Sequence, residues 1–229
     1  MSELNHSPAL TCETVGEEHA RLGRVVAELV ARYAASLDEA RVCSTATPAE
    51  LERLFDEPLP LEGTDAETIL ERFERDILPH AMNIPSPRYY GLFNPTPLPV
   101  AVWADALASA INQNAAAWRN APSASIVEAR VLRWLCSLLG YGDESFGTLT
   151  SGGSEANLLG LKCARDRGLE GARDLGVGAT ARGAELIVYA SEQCHYSFIK
   201  CVDILGLGRD NLKKVPTDER FHIKVGELR

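Results

Sequence analysis

Apolar positions in the first third of the chain recur at helical spacing. Leu22, Val25, Val26, Leu29, Val30 and Tyr33 form one stripe. Thr14-Val-Gly-Glu17 reads as the capping box that opens it. Thr47-Pro48-Ala-Glu50 starts a second helix, with proline at its favoured first position. Thr64-Asp-Ala-Glu67 starts a third, with Ile69, Leu70, Phe73 and Ile77 turned inward. Three short helices joined by polar turns form a thin layer with little core of its own. Prolines then crowd the stretch from Pro79 to Pro99, which reads as an extended connector.

The pattern changes in the second half. Val131, Leu132, Trp134, Leu135, Leu138 and Leu139 make a helical stripe that ends at Gly140 and is expected to pack in the core. Gly147-Thr-Leu-Thr150 reads as a short strand. Ser151-Gly152-Gly153 reads as a turn whose glycines permit backbone angles that other residues resist. A helix follows, capped by Ser154 or by Gly153, with Leu158, Leu159, Leu161 and Ala164 on one side and Arg165 and Arg167 at its end. A loop from Gly168 to Gly183 leads to Glu185-Leu-Ile-Val-Tyr-Ala190, an apolar run suited to a strand buried on both faces of a parallel sheet. His195 begins the next helix, with Phe198, Ile199, Val202 and Leu205 as its apolar side and a stop near Gly206 and Gly208. Alternating strands and helices of this kind predict an α/β fold.

Two places carry candidate chemistry. A strand–turn–helix at residues 147–157 aims several backbone N–H groups at one spot, and the helix dipole adds positive charge there. A phosphate suits that spot, with the Ser154 hydroxyl as a further donor. An ordinary capped helix after a glycine turn explains the same residues. His195 lies in the loop beyond the C-terminal end of a strand, where open α/β sheets gather ligands. A lone histidine is more often a solvated or hydrogen-bonded residue. Cys194 beside it reads as a passive loop residue ahead of a nucleophile.

Thr150-Ser-Gly-Gly-Ser-Glu-Ala-Asn157 followed by Cys194-His-Tyr-Ser197 resembles the group II pyridoxal-phosphate decarboxylases, the family of the aromatic amino acid and glutamate decarboxylases. The resemblance begins near Ser86-Pro-Arg-Tyr-Tyr-Gly-Leu-Phe93 and runs to the end of the chain. It takes in Trp103 to Asn112, Gln113, Asn114, Trp118, Ala121, Pro122, Glu128 and the segment Asp210 to Val215. It implies a fold of the pyridoxal-phosphate-dependent transferase type (aspartate aminotransferase fold type I). It also implies a division into an N-terminal helical, dimerising segment (1–84) and part of a large cofactor domain (85–229). By the same resemblance Gly153 and Ser154 hold the phosphate of pyridoxal 5'-phosphate, and His195 stacks on its ring and serves the chemistry above it. Phe93, Asn94 and Pro95 fall where aromatic-type members place part of the substrate pocket. Leu92 and Asn94 depart from that pattern, so no aromatic substrate is implied. The implied activity is amino acid decarboxylation, a step of carboxylic acid metabolism, in a cytoplasmic homodimer.

In the family a lysine that follows a histidine anchors the cofactor, and an aspartate faces the pyridine nitrogen. Lys162, Lys200, Lys213, Lys214 and Lys224 lie outside that context, and no His-Lys pair occurs. The sequence is therefore expected to be the N-terminal half of such an enzyme, with decarboxylation by the 229 residues alone not expected. Another carbon–carbon lyase of the same fold, of the sphingosine-phosphate-lyase type, and a non-catalytic dimerising or cofactor-binding remnant are the alternatives.

Composition narrows the partners. A net charge of −9 argues against nucleic acid and anionic membranes as partners. No apolar run reaches the length of a membrane span, and the first 18 residues, without a basic start and an apolar core, do not read as a secretory signal. The cysteines at 12, 43, 136, 163, 194 and 201 show no zinc-type spacing, so no metal site is expected, and they read as reduced thiols.

Overall fold

The computed structural model describes residues 11–180 and 186–228. They form two compact units, divided between Asn112 and Gln113.

The first unit opens with α1 (Cys12–Ser36). Its capping box pairs Thr11 with Thr14: the Thr14 N–H donates to Thr11 Oγ1 at 3.2 Å and the Thr11 N–H to Thr14 Oγ1 at 2.9 Å. The box expected at Thr14 and Glu17 is thus displaced by three residues, because Thr11 is already extended and can cap. Helix α2 (Pro48–Phe55) begins as expected, with a Thr47–Glu50 box and Pro48 in its first turn. Helix α3 (Ala66–Arg72) is capped by Asp65, whose Oδ1 accepts the Thr68 N–H at 2.9 Å, and continues as a π-helical turn, Phe73–Ile77. Buried Asn83 ties the proline-rich connector to α1 and the residues after it. It accepts from the Tyr33 hydroxyl at 3.0 Å, donates to the Arg41 carbonyl at 2.5 Å, and its N–H reaches the Val42 carbonyl at 2.8 Å. Helix α4 (Pro99–Ile111) stops where Asn112 turns left-handed, φ 40°.

The inward stripe expected on α3 is not covered within this unit. Ile69 keeps 54% of its surface exposed, and Phe73 and Ile77 are similarly open. An apolar side is buried only where another element lies over it, and none of the unit's described elements covers this one.

In the second unit, α5 (Pro122–Leu138) ends on Gly140 at φ 77°. The Gly140 N–H bonds the Ser137 carbonyl and the Tyr141 N–H the Cys136 carbonyl, a Schellman closure. Of its expected core stripe only Leu132 is buried; Trp134, Leu135, Leu138 and Leu139 are exposed, since no described element of the unit lies over that side. Residues 147–150 take no regular secondary structure and have no strand partner among the described residues, so the strand expected there is not formed. Helix α6 (Gly153–Gly168) follows. The expected loop after it contains the short α7 (Ala172–Leu175). Gly183 and Glu185 fall outside the described residues.

The sheet consists of β1 (Val188–Ser191) and β2 (Leu212–Val215), parallel, in register from Val188 opposite Leu212 to Ser191 opposite Val215. Helix α8 (Ser197–Ile204) joins them. Val202, Leu205 and Leu207 are the centre of the core, with Leu158 and Leu161 of α6 and with Leu186, Val188 and Leu212 packed against them. Residues alternate across a strand, so Val188 and Ala190 face the helices and Tyr189 faces away, 54% exposed. The expected burial of this strand on both faces is corrected accordingly: among the described residues of this unit, helices cover one face.

Helix α8 starts two residues later than expected, leaving His195 in the turn before it. Its end is as predicted. Gly206 adopts φ 69°, its N–H bonds the Asp203 carbonyl at 3.0 Å, and the Leu207 N–H bonds the Val202 carbonyl at 2.9 Å. Arg165 of α6 donates to the Leu205 carbonyl at 3.2 Å, so one helix caps the other. After β2 the chain forms a bridge between Thr217 and Ile223 and a 3₁₀ turn at Val225–Leu228.

Candidate cofactor site

The start of α6 has three donors without a protein acceptor among the described residues. Gly152 is the cap, and its carbonyl takes the Glu155 and Ala156 N–H groups, each at 3.1 Å. The N–H groups of Gly153 and Ser154 remain open, as does the Ser154 hydroxyl, because the first N–H groups of a helix lack an intrahelical partner. Both alternatives for the cap, Ser154 and Gly153, are therefore superseded by Gly152.

The reason for the glycines also changes. Gly152 is fully extended (φ 170°, ψ 171°) and Gly153 is helical, so neither needs an angle denied to other residues. A methyl built on either meets nothing within 4 Å. What glycine provides here is open space directly over the exposed N–H groups. That space, three convergent donors and the positive end of a sixteen-residue helix fit a phosphate.

The acid of the first turn does not compete. Glu155 Oε2 accepts the Ser151 hydroxyl at 2.8 Å and the Ser151 N–H at 3.0 Å. These two bonds, the hydroxyl first, hold the Glu155 carboxyl below its ordinary value. Ser151 is thereby committed to Glu155, and Gly153 and Ser154 carry the open donors.

His195 reaches the same helix through two further side chains, Asn157 and Ser197. Asn157 Nδ2, one turn into α6, donates to Ser197 Oγ at 2.9 Å. Ser197 Oγ lies 2.9 Å from His195 Nδ1, and the Ser197 N–H approaches the same nitrogen at 3.3 Å. Ser197 is fully buried, whereas the His195 side chain is exposed. Cys201, also buried, sets its Sγ 3.7 Å from the Ser154 carbonyl. Signals for Asn157 and Ser197 did exist in the sequence, as polar residues at positions facing inward on two packed helices.

Tyr196 stands beside His195, ring centroids 4.2 Å apart, and Lys200 Nζ lies 4.9 Å from the Tyr196 centroid. Lys200 therefore meets the tyrosine and is solvent-exposed. Glu192, just after β1, accepts the Thr217 hydroxyl and N–H and so ties the exits of the two strands together. Phe93, Asn94 and Pro95 belong to the first unit, all exposed in a segment without regular secondary structure. No group of three or more His, Cys, Asp or Glu side chains able to hold a metal occurs among the described residues.

A glycine-opened helix start and a histidine beyond a strand exit thus stand on one parallel β–α–β unit of an α/β fold. The chain matches the pyridoxal-dependent decarboxylase conserved domain over residues 48–229 and belongs to that family. Among curated proteins it is 30% identical over 214 residues to an aromatic-L-amino-acid decarboxylase of Bacillus atrophaeus, covering 93% of this chain and 42% of that one. It is 29% identical over 231 residues to L-tyrosine/L-DOPA decarboxylase 2 of Lophophora williamsii, covering 97% and 43%. Of solved structures, mouse CSAD superposes with a TM-score of 0.76 at 26% identity, over 89% of this chain and 44% of that one. Catharanthus roseus tryptophan decarboxylase in complex with L-tryptophan gives 0.82 at 24% identity, over 97% and 47%, a likeness of fold. The fold is that of the pyridoxal-phosphate decarboxylases, fold type I, as the sequence implied. The chain spans less than half the length of the relatives it matches.

Proposed function

We propose that this chain forms the phosphate-holding and ring-facing part of a pyridoxal-phosphate-dependent amino acid decarboxylase, a carboxy-lyase. The observation that carries the reading is the open donor set of Gly153 and Ser154 at the start of α6, linked through Asn157 and Ser197 to His195. Gly153 and Ser154 bind the phosphate, and His195 lies over the cofactor ring. Pyridoxal phosphate, when bound, supplies an electron-withdrawing ring that takes up the electron pair left as the bond from Cα to the carboxylate breaks. Phe93, Asn94 and Pro95 are proposed to contact an amino acid substrate. Their exposure supports availability for such a contact.

We assign the segment 1–84 to dimerisation and 85–229 to the cofactor domain. The half-exposed side of Ile69, Phe73 and Ile77 supports a second copy as the layer that covers it. A cytoplasmic location is supported by six unpaired thiols. No described helix is long and apolar enough to cross a membrane.

The test has two arms. Equilibrium binding of pyridoxal phosphate and of pyridoxal should differ by tenfold or more, with inorganic phosphate competing only against the former. Carboxyl-labelled L-amino acids, presented to the native polypeptide isolated from its source cells, should release labelled carbon dioxide. Equal affinity for the two vitamers would sink the cradle, and no release from any amino acid would sink the activity.

A further inference from the structure

We infer that Asn157 and Ser197 are positioning residues that fix the proton of neutral His195 on Nε2, and with it the plane of the ring. The Asn157 amide nitrogen can only donate, so Ser197 Oγ accepts at 2.9 Å. The hydroxyl hydrogen of Ser197 is then free to point at His195 Nδ1, 2.9 Å away. The Ser197 N–H, a helix-start group with no intrahelical partner, addresses the same nitrogen at 3.3 Å. A backbone N–H can only donate. Two donors therefore converge on Nδ1, which must present its lone pair. The proton of the neutral ring is left on Nε2, on the exposed edge of the side chain.

Burial makes the arrangement stiff. Ser197 has no exposed surface, and its hydroxyl finds all its partners inside the protein. Asn157 sits on α6, the helix whose first turn carries the open Gly153 and Ser154 donors. The relay thus couples the orientation of His195 to the helix that holds the phosphate. An imidazole held this way offers a flat face and one N–H of known direction.

The significance for the cofactor rests on the proposed role of His195, but the tautomer does not. It can be measured on the protein without cofactor, so the two ideas fail separately. The imidazole nitrogens of uniformly ¹⁵N-labelled protein are read at alkaline pH, with His195 assigned by its loss in His195→Gln. The native protein should show an unprotonated Nδ1 and a protonated Nε2. In Asn157→Asp the introduced carboxylate accepts from the Ser197 hydroxyl and turns it away from Nδ1. The Nε2–H to Nδ1–H ratio should then fall by roughly fivefold, the population change expected from one ordinary hydrogen bond. Ser197→Ala should lower it similarly, and Ser197→Thr, which keeps the hydroxyl, should not. An unchanged ratio in Asn157→Asp overturns the inference whatever the Ser197 variants do, and so does a native ring protonated on Nδ1.

Discussion

Glu192 and Thr217 lock the exits of the two parallel strands to each other. One carboxylate oxygen accepts both the Thr217 hydroxyl at 2.7 Å and its N–H at 2.8 Å. The loop that leads to His195 leaves β1 at this point, so the bond helps set where the histidine begins.

These bonds make the lock pH-dependent. The Thr217 hydroxyl, then its N–H, hold the Glu192 carboxyl below its ordinary value. A depressed acid stabilises the fold fully above its unfolded value, and the contribution disappears as pH falls through the folded one. Glu192→Ala should lower the urea midpoint at pH 7. The difference from the native protein should close below about pH 4. A constant difference down to pH 3 would mean that the carboxylate charge is not what holds Thr217.

The core around α8 gives a second, larger effect. Val202 is completely buried between Leu205 and Leu207. Val202→Ala removes two methyl groups and leaves a void, at a cost of about 2 kcal/mol. Gly206 closes the same helix at φ 69°, and Gly206→Ala should cost about 1 kcal/mol without altering the core. Chemical denaturation of both variants checks the order. A milder effect at Val202 than at Gly206 would contradict it.

How much of this was legible beforehand divides by range. The ends of α5 and α8 were readable because a glycine near the end of an apolar stripe is a local signal, and both Gly140 and Gly206 take the left-handed angle. The start of α6 was readable because a glycine turn directly ahead of a helical apolar pattern is a local signal. The burial of Trp134, Leu138 and Tyr189 was misjudged because periodicity names a side of an element and does not say what lies over it. The cap of α6 was misplaced for a related reason. The pattern identified the glycines, but the dihedral angles show that they need no left-handed conformation, and the empty surroundings of their Cβ positions show that they provide space. Asn157 and Ser197, distant in sequence, acquire their roles only when α6 and α8 pack together.

Thiol chemistry checks that packing independently. Cys12, Cys43 and Cys163 are exposed, whereas Cys201 is 2% exposed against the Ser154 carbonyl. A neutral alkylating reagent should modify the three exposed thiols first and Cys201 last, at a rate set by opening of the α6–α8 contact. Mass mapping at successive times reads the order. Early modification of Cys201 would show that α8 does not pack on α6 as described.

The sharpest test of the cradle uses the empty space over Gly153. Since an added Cβ there meets nothing within 4 Å, Gly153→Val should fold with stability close to native. The branched side chain would occupy the volume above the open N–H groups, where the phosphate is proposed to sit. Affinity for pyridoxal phosphate should fall by roughly tenfold or more, while affinity for pyridoxal, which has no phosphate, should change little. Ser154→Ala should show the same selectivity with a loss of roughly tenfold, because it removes one charge-assisted bond and leaves both N–H groups in place. Equal losses for the two vitamers would place the effect in the ring-facing part of the site and not in the cradle.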